Sequence, residues 1–168
     1  AEAVPADYDG IIEAELPLPK HEQHAPIPVP PGFEAVIVGA GVSGLCAAIH
    51  FQRAGIPFVI LEKSSRLGGV WRDNRYPGAG VDTPNHLYSF TFAPYDWTKY
   101  FALRDELEAY LEHVAEKFDL KRHIRFDTAV ERADYQAPTQ RWRLTVREQD
   151  GSVVTREANL LISAVGIF

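Results

Sequence analysis

The sequence predicts an α/β fold in which helices cover a parallel sheet and a small antiparallel β-meander lies beside it. Residues 34–38 and 58–61 are short apolar strand patterns, and they flank a helical pattern over residues 43–54 that ends at Gly55. Strands that alternate with helices in this way are typical of parallel sheets. Another apolar run, residues 160–165, is suited to return as a strand beside the first one.

The beginning of the chain is set apart by its proline content. Residues 1–31 contain seven of the twelve prolines, which favours an extended segment over a packed element. We therefore expect a proline-rich linker or arm at residues 1–31 and a folded domain at residues 32–168. His21 and His24 lie in this arm without companion ligands, so solvated histidines are favoured over a metal site.

The middle of the chain predicts a long loop followed by an amphipathic helix. Residues 64–101 show no clean period and are rich in Gly, Pro, Asn and aromatic residues, which indicates a loop region with short helical turns. Over residues 103–118 the apolar side chains recur at helical spacing. The charged residues of the other helix face, Glu108 among them, are expected to be solvated.

The last third of the chain alternates in the manner of strands. The patterns cover residues 124–126, 128–135, 141–148 and 153–157. An Asp-Gly pair at residues 150–151 predicts a hairpin turn between the last two of them. These segments predict the antiparallel meander.

A glycine motif joins the first strand to the first helix. The run VIVGAGVSG, residues 36–44, has the spacing GxGxxG. Gly39 allows a tight turn, Gly41 lets the backbone approach a phosphate, and Gly44 lets the helix pack close to the strand. Backbone amides near Ser43 and the positive end of the helix dipole then face a pyrophosphate. The alternative interpretation is a strand-to-helix loop that binds no ligand.

Glu62 favours the binding interpretation. It follows the second strand, 18 residues after Gly44. A carboxylate at this place accepts hydrogen bonds from the hydroxyls of a ribose, and it repels a 2′-phosphate. The sequence therefore predicts a Rossmann-like dinucleotide site that disfavours NADPH.

Composition and charge argue against several classes of function. The net charge of −6 and the pI near 5.5 provide no basic face for a nucleic acid or an anionic membrane. Cys46 is the sole cysteine, so no intrachain disulfide is possible, and a cytoplasmic location is expected. The apolar stretch 35–49 is interrupted by glycines and predicts a strand plus a helix rather than a membrane span. We expect small-molecule chemistry, and the oligomeric state is not predicted.

The residues after Glu62 resemble a known enzyme family. The runs RLGGVW, residues 66–71, and NRYPGAGVDTPNHLYSF, residues 74–90, resemble the class B flavoprotein monooxygenases, most closely those of the Baeyer-Villiger type. Within that type, residues 81–86 are similar to the 4-hydroxyacetophenone monooxygenase-like group. The resemblance covers residues 35–168 and implies a Rossmann-like FAD-binding domain.

The resemblance also implies which residues hold FAD. Gly69 lets the backbone pass close to the cofactor, and Trp71 offers a flat apolar wall for the flavin ring, with core packing as the alternative. Asp82 is the candidate catalytic residue, because a buried aspartate close to a flavin can orient a catalytic arginine; capping of a short helix is the alternative. The candidate cofactor-binding residues are Gly39, Gly41, Ser43, Gly44, Glu62, Lys63, Gly69, Val70, Trp71, Asp82, Tyr88 and Val130.

Finally, the resemblance implies a reaction. In the family, NADPH reduces FAD, and the reduced flavin uses O2 to insert one oxygen atom beside the carbonyl of a ketone. Only one GxGxxG motif is present, so the NADPH site is expected to lie mostly outside this chain. We expect residues 32–168 to be the N-terminal part of the FAD-binding domain, an incomplete domain that is inactive alone. A heteroatom-oxidising flavin monooxygenase and a truncated, non-catalytic FAD-binding module are the alternatives.

Overall fold

A computed structural model describes residues 26–166, and its central element is a parallel sheet. The strands of this sheet are β1 (Ala35–Val38), β2 (Phe58–Leu61), β3 (Ile124–Arg125) and β7 (Leu160–Ser163). Their order is β3-β2-β1-β7, and β1 pairs in parallel with both β2 and β7. The predicted return of the last strand beside the first is confirmed.

Two long helices and two short ones connect the strands. They are α1 (Val42–Ala54), α2 (Val70–Asp73), α3 (Asn85–Tyr88) and α4 (Arg104–Lys117). Helix α1 ends at Gly55, whose φ of 69° lies in the left-handed region and whose N–H donates to the carbonyls of Gln52 and Phe51. The short helices α2 and α3 lie within an otherwise irregular segment, which agrees with the loop and short helical turns predicted for residues 64–101.

The predicted antiparallel meander is present. Its strands are β4 (Ala129–Gln136), β5 (Arg141–Arg147) and β6 (Val153–Ala158). The Asp-Gly turn before β6 is confirmed, because Gly151 has a φ of 83° and the amide of Ser152 donates to Oδ1 of Asp150 at 2.9 Å. The strand predicted at residues 124–126 belongs to the other sheet, where β3 pairs in parallel with β2.

The core has two sides because side chains alternate along β1 and β2. Ile37 and Ile60 point to a cluster that contains residues of α1 and α4, including Leu45 and Leu111. Val36 packs in a second cluster with residues of the meander. The parallel sheet is therefore covered by helices on one face and by the meander on the other, a three-layer α/β arrangement.

Glu108 corrects the expectation that the charged face of α4 is solvated. It is 8% exposed. Its carboxylate pairs with Arg104 one turn earlier in α4, and its Oε1 lies 3.0 Å from Nη2 of Arg66 in the irregular segment. That segment folds back over the helix, so a residue placed on the polar face by periodicity becomes buried.

The described end of the proline-rich arm runs along the protein surface. The amide of Ile27 donates to the carbonyl of Ala54 at 2.8 Å, beside the end of α1. Most of the predicted arm, with His21 and His24, lies outside the described residues. Between residues 26 and 166, no helix combines the length and apolar character that crossing a membrane requires, and no group of acidic, histidine or cysteine side chains is arranged to hold a metal ion.

Candidate functional site

A cleft of about 480 Å³ lies where the parallel strands end. It is lined by residues at the carboxyl ends of β1, β2 and β7, by the irregular segment around α2, and by the start of β4. The carboxyl edge is where open α/β sheets bind ligands. Nine of the candidate residues line this cleft: Gly39, Gly41, Ser43, Glu62, Lys63, Gly69, Val70, Tyr88 and Val130.

Two glycines of the motif shape the turn between β1 and α1. Gly39 has a φ of 104°, and a Cβ there would lie 2.5 Å from the carbonyl oxygen of Ala164. A Cβ on Gly44 would collide with the carbonyl oxygen of Gly39. These contacts agree with a tight turn at Gly39 and with close packing of the helix onto the strand at Gly44. Gly44 does not line the cleft, but its close packing against Gly39 helps to shape the turn that does.

Gly41 differs from these two because its missing side chain faces the cleft. A Cβ on Gly41 would meet the Cα of Gly69 at 3.7 Å, an ordinary van der Waals distance. The φ of −86° and ψ of −167° at Gly41 are accessible to any residue. The fold itself thus tolerates a Cβ at Gly41, and the absence of that atom widens the cleft at this point.

The N-terminus of α1 opens into the cleft at the same point. Gly41 is the N-cap residue, no side chain caps the helix, and the first turn contains no acidic residue. The positive end of the helix dipole and the unpaired amides of the first turn are therefore not neutralised by a carboxylate of the helix itself. This arrangement fits a phosphate or pyrophosphate group.

Glu62 is buried and held in one orientation. It is 3% exposed. Its Oε2 accepts a hydrogen bond from the amide of Ala40 at 2.7 Å, and its Oε1 accepts one from the amide of Ser64 at 2.9 Å. These bonds fix the carboxylate between the glycine turn and the end of β2. Because Glu62 also lines the cleft, it is available to a hydroxyl group there.

Arg72 is a cleft residue that the sequence analysis missed. It lies in α2, is 8% exposed, and its Nη1 lies 3.4 Å from Oε1 of Glu62. The same Nη1 donates to the carbonyl of Arg66 at 2.6 Å. The sequence feature that could have identified Arg72 as a cleft residue is its position three residues after Gly69. An arginine in a segment without helical or strand periodicity, however, is not predicted to be buried.

The start of β4 supplies another wall of the cleft. The amide of Thr128 donates to the carbonyl of Glu62 at 2.9 Å, which ties this segment to the end of β2. Val130 lies next to a register shift in β4, and Thr128, Ala129 and Val130 all line the cleft. Only Val130 was a candidate, because the approach of this strand to Glu62 depends on a contact across more than 60 residues.

Trp71 lies beside the cleft residue Tyr88 and packs, partly buried, against the apolar core without lining the cleft itself. Its Nε1 donates to the hydroxyl of Tyr88 at 3.0 Å, and the two rings meet edge to face with centroids 5.6 Å apart. Tyr88 is the member of this pair that lines the cleft. Trp71 thus braces Tyr88.

Asp82 lies outside the cleft lining and is exposed in this chain. Its Oδ1 accepts a weak hydrogen bond from Oγ1 of Thr83 at 3.3 Å. The following residue, Pro84, is the N-cap of α3, and no side chain caps that helix. The alternative role of Asp82 as a helix cap is therefore not observed.

The chain matches two protein families. Residues 37–104 match the family described as NAD(P)-binding Rossmann-like domain. Residues 81–168 match the family described as L-lysine 6-monooxygenase/L-ornithine 5-monooxygenase.

The chain is similar to larger monooxygenases. A Baeyer-Villiger monooxygenase of Streptomyces coelicolor is 44% identical over 133 residues, which cover 77% of this chain and 24% of that protein. A structure of an oxidized steroid monooxygenase bound to NADP is 43% identical, has a TM-score of 0.70, and is matched over 79% of this chain and 26% of that one. A structure of OTEMO in complex with FAD and NADP is 34% identical, has a TM-score of 0.72, and is matched over 82% of this chain and 26% of that one. The chain spans about a quarter of the length of these relatives.

Proposed function

The chain belongs to the class B flavoprotein monooxygenases, with relatives of the Baeyer-Villiger type, and we propose on this basis that residues 32–168 bind FAD. The observation that carries the proposal is the convergence of three features in one cleft. These are the glycine turn at Gly41, the uncapped N-terminus of α1, and the carboxylate of Glu62. Together they fit a pyrophosphate next to a ribose.

Each wall of the cleft has a part in holding this cofactor. The amides at Gly41 and Ser43 receive the pyrophosphate, because no Cβ at Gly41 obstructs the approach. Glu62 would accept a hydrogen bond from the adenosine ribose, and the backbone at Val130, which lines the same cleft, would hold the adenine. Lys63 is exposed at the rim of the cleft, where its charge attracts the phosphates from solvent.

Tyr88 is proposed as a hydrogen-bond donor toward the cofactor. Its hydroxyl oxygen already accepts the indole N–H of Trp71 at 3.0 Å. The hydroxyl proton is therefore the group that it can offer into the cleft. Gly69 and Val70 form the adjoining backbone, with Gly69 at a φ of 55°.

We assign the whole reaction to a longer protein. When bound, FAD supplies the redox chemistry, in which NADPH is the reductant and O2 the source of the oxygen atom inserted into a ketone. The residues of this chain position the cofactor and exclude water from its adenosine half. Asp82 stays a proposed catalytic residue of that longer protein, since its exposed carboxylate is accessible to an arginine from another segment.

A second candidate function is oxidation of a nitrogen or other heteroatom. The observation that favours it is the match of residues 81–168 to the family of lysine and ornithine monooxygenases. The cleft described above holds FAD equally well for either reaction, so the glycine turn and Glu62 do not discriminate between them. Oxygen uptake by the full-length protein with a ketone series and with an amine series separates the two.

FAD binding is tested by flavin retention. The purified chain is incubated with FAD, freed of excess cofactor by gel filtration, and examined by visible absorbance. We expect about one flavin per chain. A protein that elutes folded and colourless contradicts the proposal that this chain binds FAD.

The second step adds NADPH under air to the flavin-loaded chain. We expect the flavin absorbance to persist and NADPH to be consumed no faster than with free FAD, because the NADPH site is proposed to lie mostly outside this chain. Rapid bleaching of the flavin would show that this chain binds both cofactors. It would also remove the proposal that the isolated chain is inactive.

A further inference from the structure

Arg72 is a buried cation whose role is not explained by the packing of α2 alone. Its guanidinium is shared among three acceptors: Asp73, the carbonyl of Arg66, and Glu62. The contact with Asp73 is the shorter ion pair, with Nη2 of Arg72 at 2.7 Å from Oδ1, and Asp73 lies at the open edge of the cleft with its side chain 58% exposed. The contact with Glu62 is internal and borders the cleft, with the two side chains 9% and 4% exposed.

The hydrogen bonds around Glu62 leave one of its oxygens better placed for a ligand. Oε1 has two donors nearby, the amide of Ser64 at 2.9 Å and Nη1 of Arg72 at 3.4 Å. Oε2 has one, the amide of Ala40 at 2.7 Å. A carboxylate oxygen accepts about two hydrogen bonds, so the open acceptor site of Glu62 is on Oε2.

We propose that Arg72 is a positioning and specificity-determining residue at the adenosine ribose. It holds the carboxylate of Glu62 in place as an acceptor for the ribose hydroxyls. Its guanidinium is also a binding site for a 2′-phosphate, which the negative charge of Glu62 keeps masked. The proposal rests on the proposed binding of FAD in this cleft. With Glu62 charged, the internal pair is neutral, and the carboxylate favours the two free hydroxyls of the FAD ribose. Without the charge of Glu62, the guanidinium keeps only the exposed, water-screened carboxylate of Asp73 as a counter-ion, and it attracts a dianion.

The masking follows from the positions of the three charges. Asp73 lines the open edge of the cleft and is 58% exposed, so water screens its charge. Glu62 is on the cleft side and is almost fully buried, so its charge acts at short range on both the guanidinium and the ligand. Of these two carboxylates, the buried Glu62 therefore has the larger influence on which sign of charge the ribose end of the cleft accepts.

The test compares two ligands that differ only at the 2′ position. ADP-ribose and 2′-phospho-ADP-ribose are titrated against the FAD-loaded chain, and displacement of flavin fluorescence gives the affinity of each. The variants are E62Q, R72K and the double variant E62Q/R72M. The control is R122M, because Arg122 is exposed and pairs with Asp119 away from the cleft.

The wild-type chain is expected to prefer ADP-ribose, and E62Q is expected to shift the preference at least about tenfold toward 2′-phospho-ADP-ribose. In E62Q/R72M this gain is lost, because the cation is gone. The double variant removes both internal charges together and leaves no buried charge without a partner. R72K keeps the charge but not the planar fork, so it binds FAD about tenfold more weakly than wild type while retaining the preference for ADP-ribose.

Several outcomes overturn the inference. A preference in E62Q within about twofold of wild type shows that Arg72 is not a phosphate site. A gain that persists in E62Q/R72M assigns the effect to another cation, and wild-type FAD affinity in R72K removes the positioning role. If the wild-type chain binds neither FAD nor ADP-ribose, the proposed function fails first and the inference fails with it.

Discussion

The three glycines of the GxGxxG motif have different physical roles. Gly44 and Gly39 are required by the fold, since a Cβ at either would press on backbone carbonyl oxygens. Gly41 has an ordinary backbone conformation, and a Cβ there would make only an ordinary van der Waals contact with Gly69. Within residues 39–44, the positions that the fold requires are therefore different from the position assigned to ligand binding.

Substitution of Gly41 by valine should abolish FAD binding and leave the fold intact. The valine side chain would occupy the space over the helix N-terminus where we propose that the pyrophosphate binds, and we expect a loss of about a hundredfold or more in affinity. Thermal unfolding followed by circular dichroism should give nearly the wild-type midpoint. Flavin retention and the melting curve are measured on the same preparation.

Gly44→Val is the contrasting variant. Its side chain would collide with the carbonyl of Gly39, and we expect a loss of stability of about 3 kcal/mol or more. A Gly41→Val protein that melts like Gly44→Val would contradict the assignment of Gly41 to the ligand rather than to the fold.

At the scale of elements, α4 is joined to the irregular segment by buried charge as well as by apolar contact. The carboxylate of Glu108 pairs with Arg104 and Arg66. Arg104 also donates through Nε to the carbonyl of Trp71 at 2.9 Å. Trp71 in turn braces Tyr88, so α4 helps to place a wall of the cleft without lining it.

Glu108→Ala should destabilise the protein by about 2 kcal/mol or more, because it removes the buried carboxylate that pairs with Arg66 and leaves the largely buried Arg104 with only the exposed Asp105 as an ion-pair partner. The matched control is Glu112→Ala one turn later in α4. Glu112 pairs with Lys121 at 2.9 Å near the surface, and its loss should cost about 0.5 kcal/mol or less. Urea unfolding of both variants provides the comparison, and equal costs would show that Glu108 is no more important than a surface pair.

At the scale of the whole molecule, one histidine links stability to pH. His123 stacks on Phe58 of β2, with ring centroids 4.6 Å apart. Burial of the imidazole lowers its pKa below the usual value, and the nearby charge of Arg122 adds to this effect, while Asp119 opposes it. Since the folded pKa is the lower one, the unfolded chain takes up the proton first. Stability is therefore unaffected by His123 above about pH 6.5 and falls as pH decreases below it.

His123→Phe should reduce this acid sensitivity. Phenylalanine preserves the stack on Phe58 and cannot be protonated, so the loss of stability between pH 7.5 and pH 5.5 should be smaller than in wild type. The measurement is the urea midpoint at both pH values, from which the difference for each protein is taken. An identical difference in the two proteins would assign the acid sensitivity to other groups.

The elements of this protein were predictable because they depend on short-range patterns. The unit β1-α1-β2, the end of α1 at Gly55 and the turn at Gly151 each follow from periodicity or from a glycine in its preferred conformation. The same local chemistry marked Gly39, Gly41 and Glu62, which the structure brings together at the carboxyl edge of the sheet.

What only the tertiary structure decided lies in the path of residues 64–101 and in contacts across long separations. That segment has no period, so its sequence does not show that Arg72 turns inward to Glu62, that Trp71 lies beside Tyr88, or that Asp82 stays exposed. Burial of Glu108 by the same segment likewise contradicts the polar face that its helix predicts. The physical reason is that a local pattern determines the backbone and the apolar face of an element, whereas the burial of a charged side chain depends on which distant partner neutralises it.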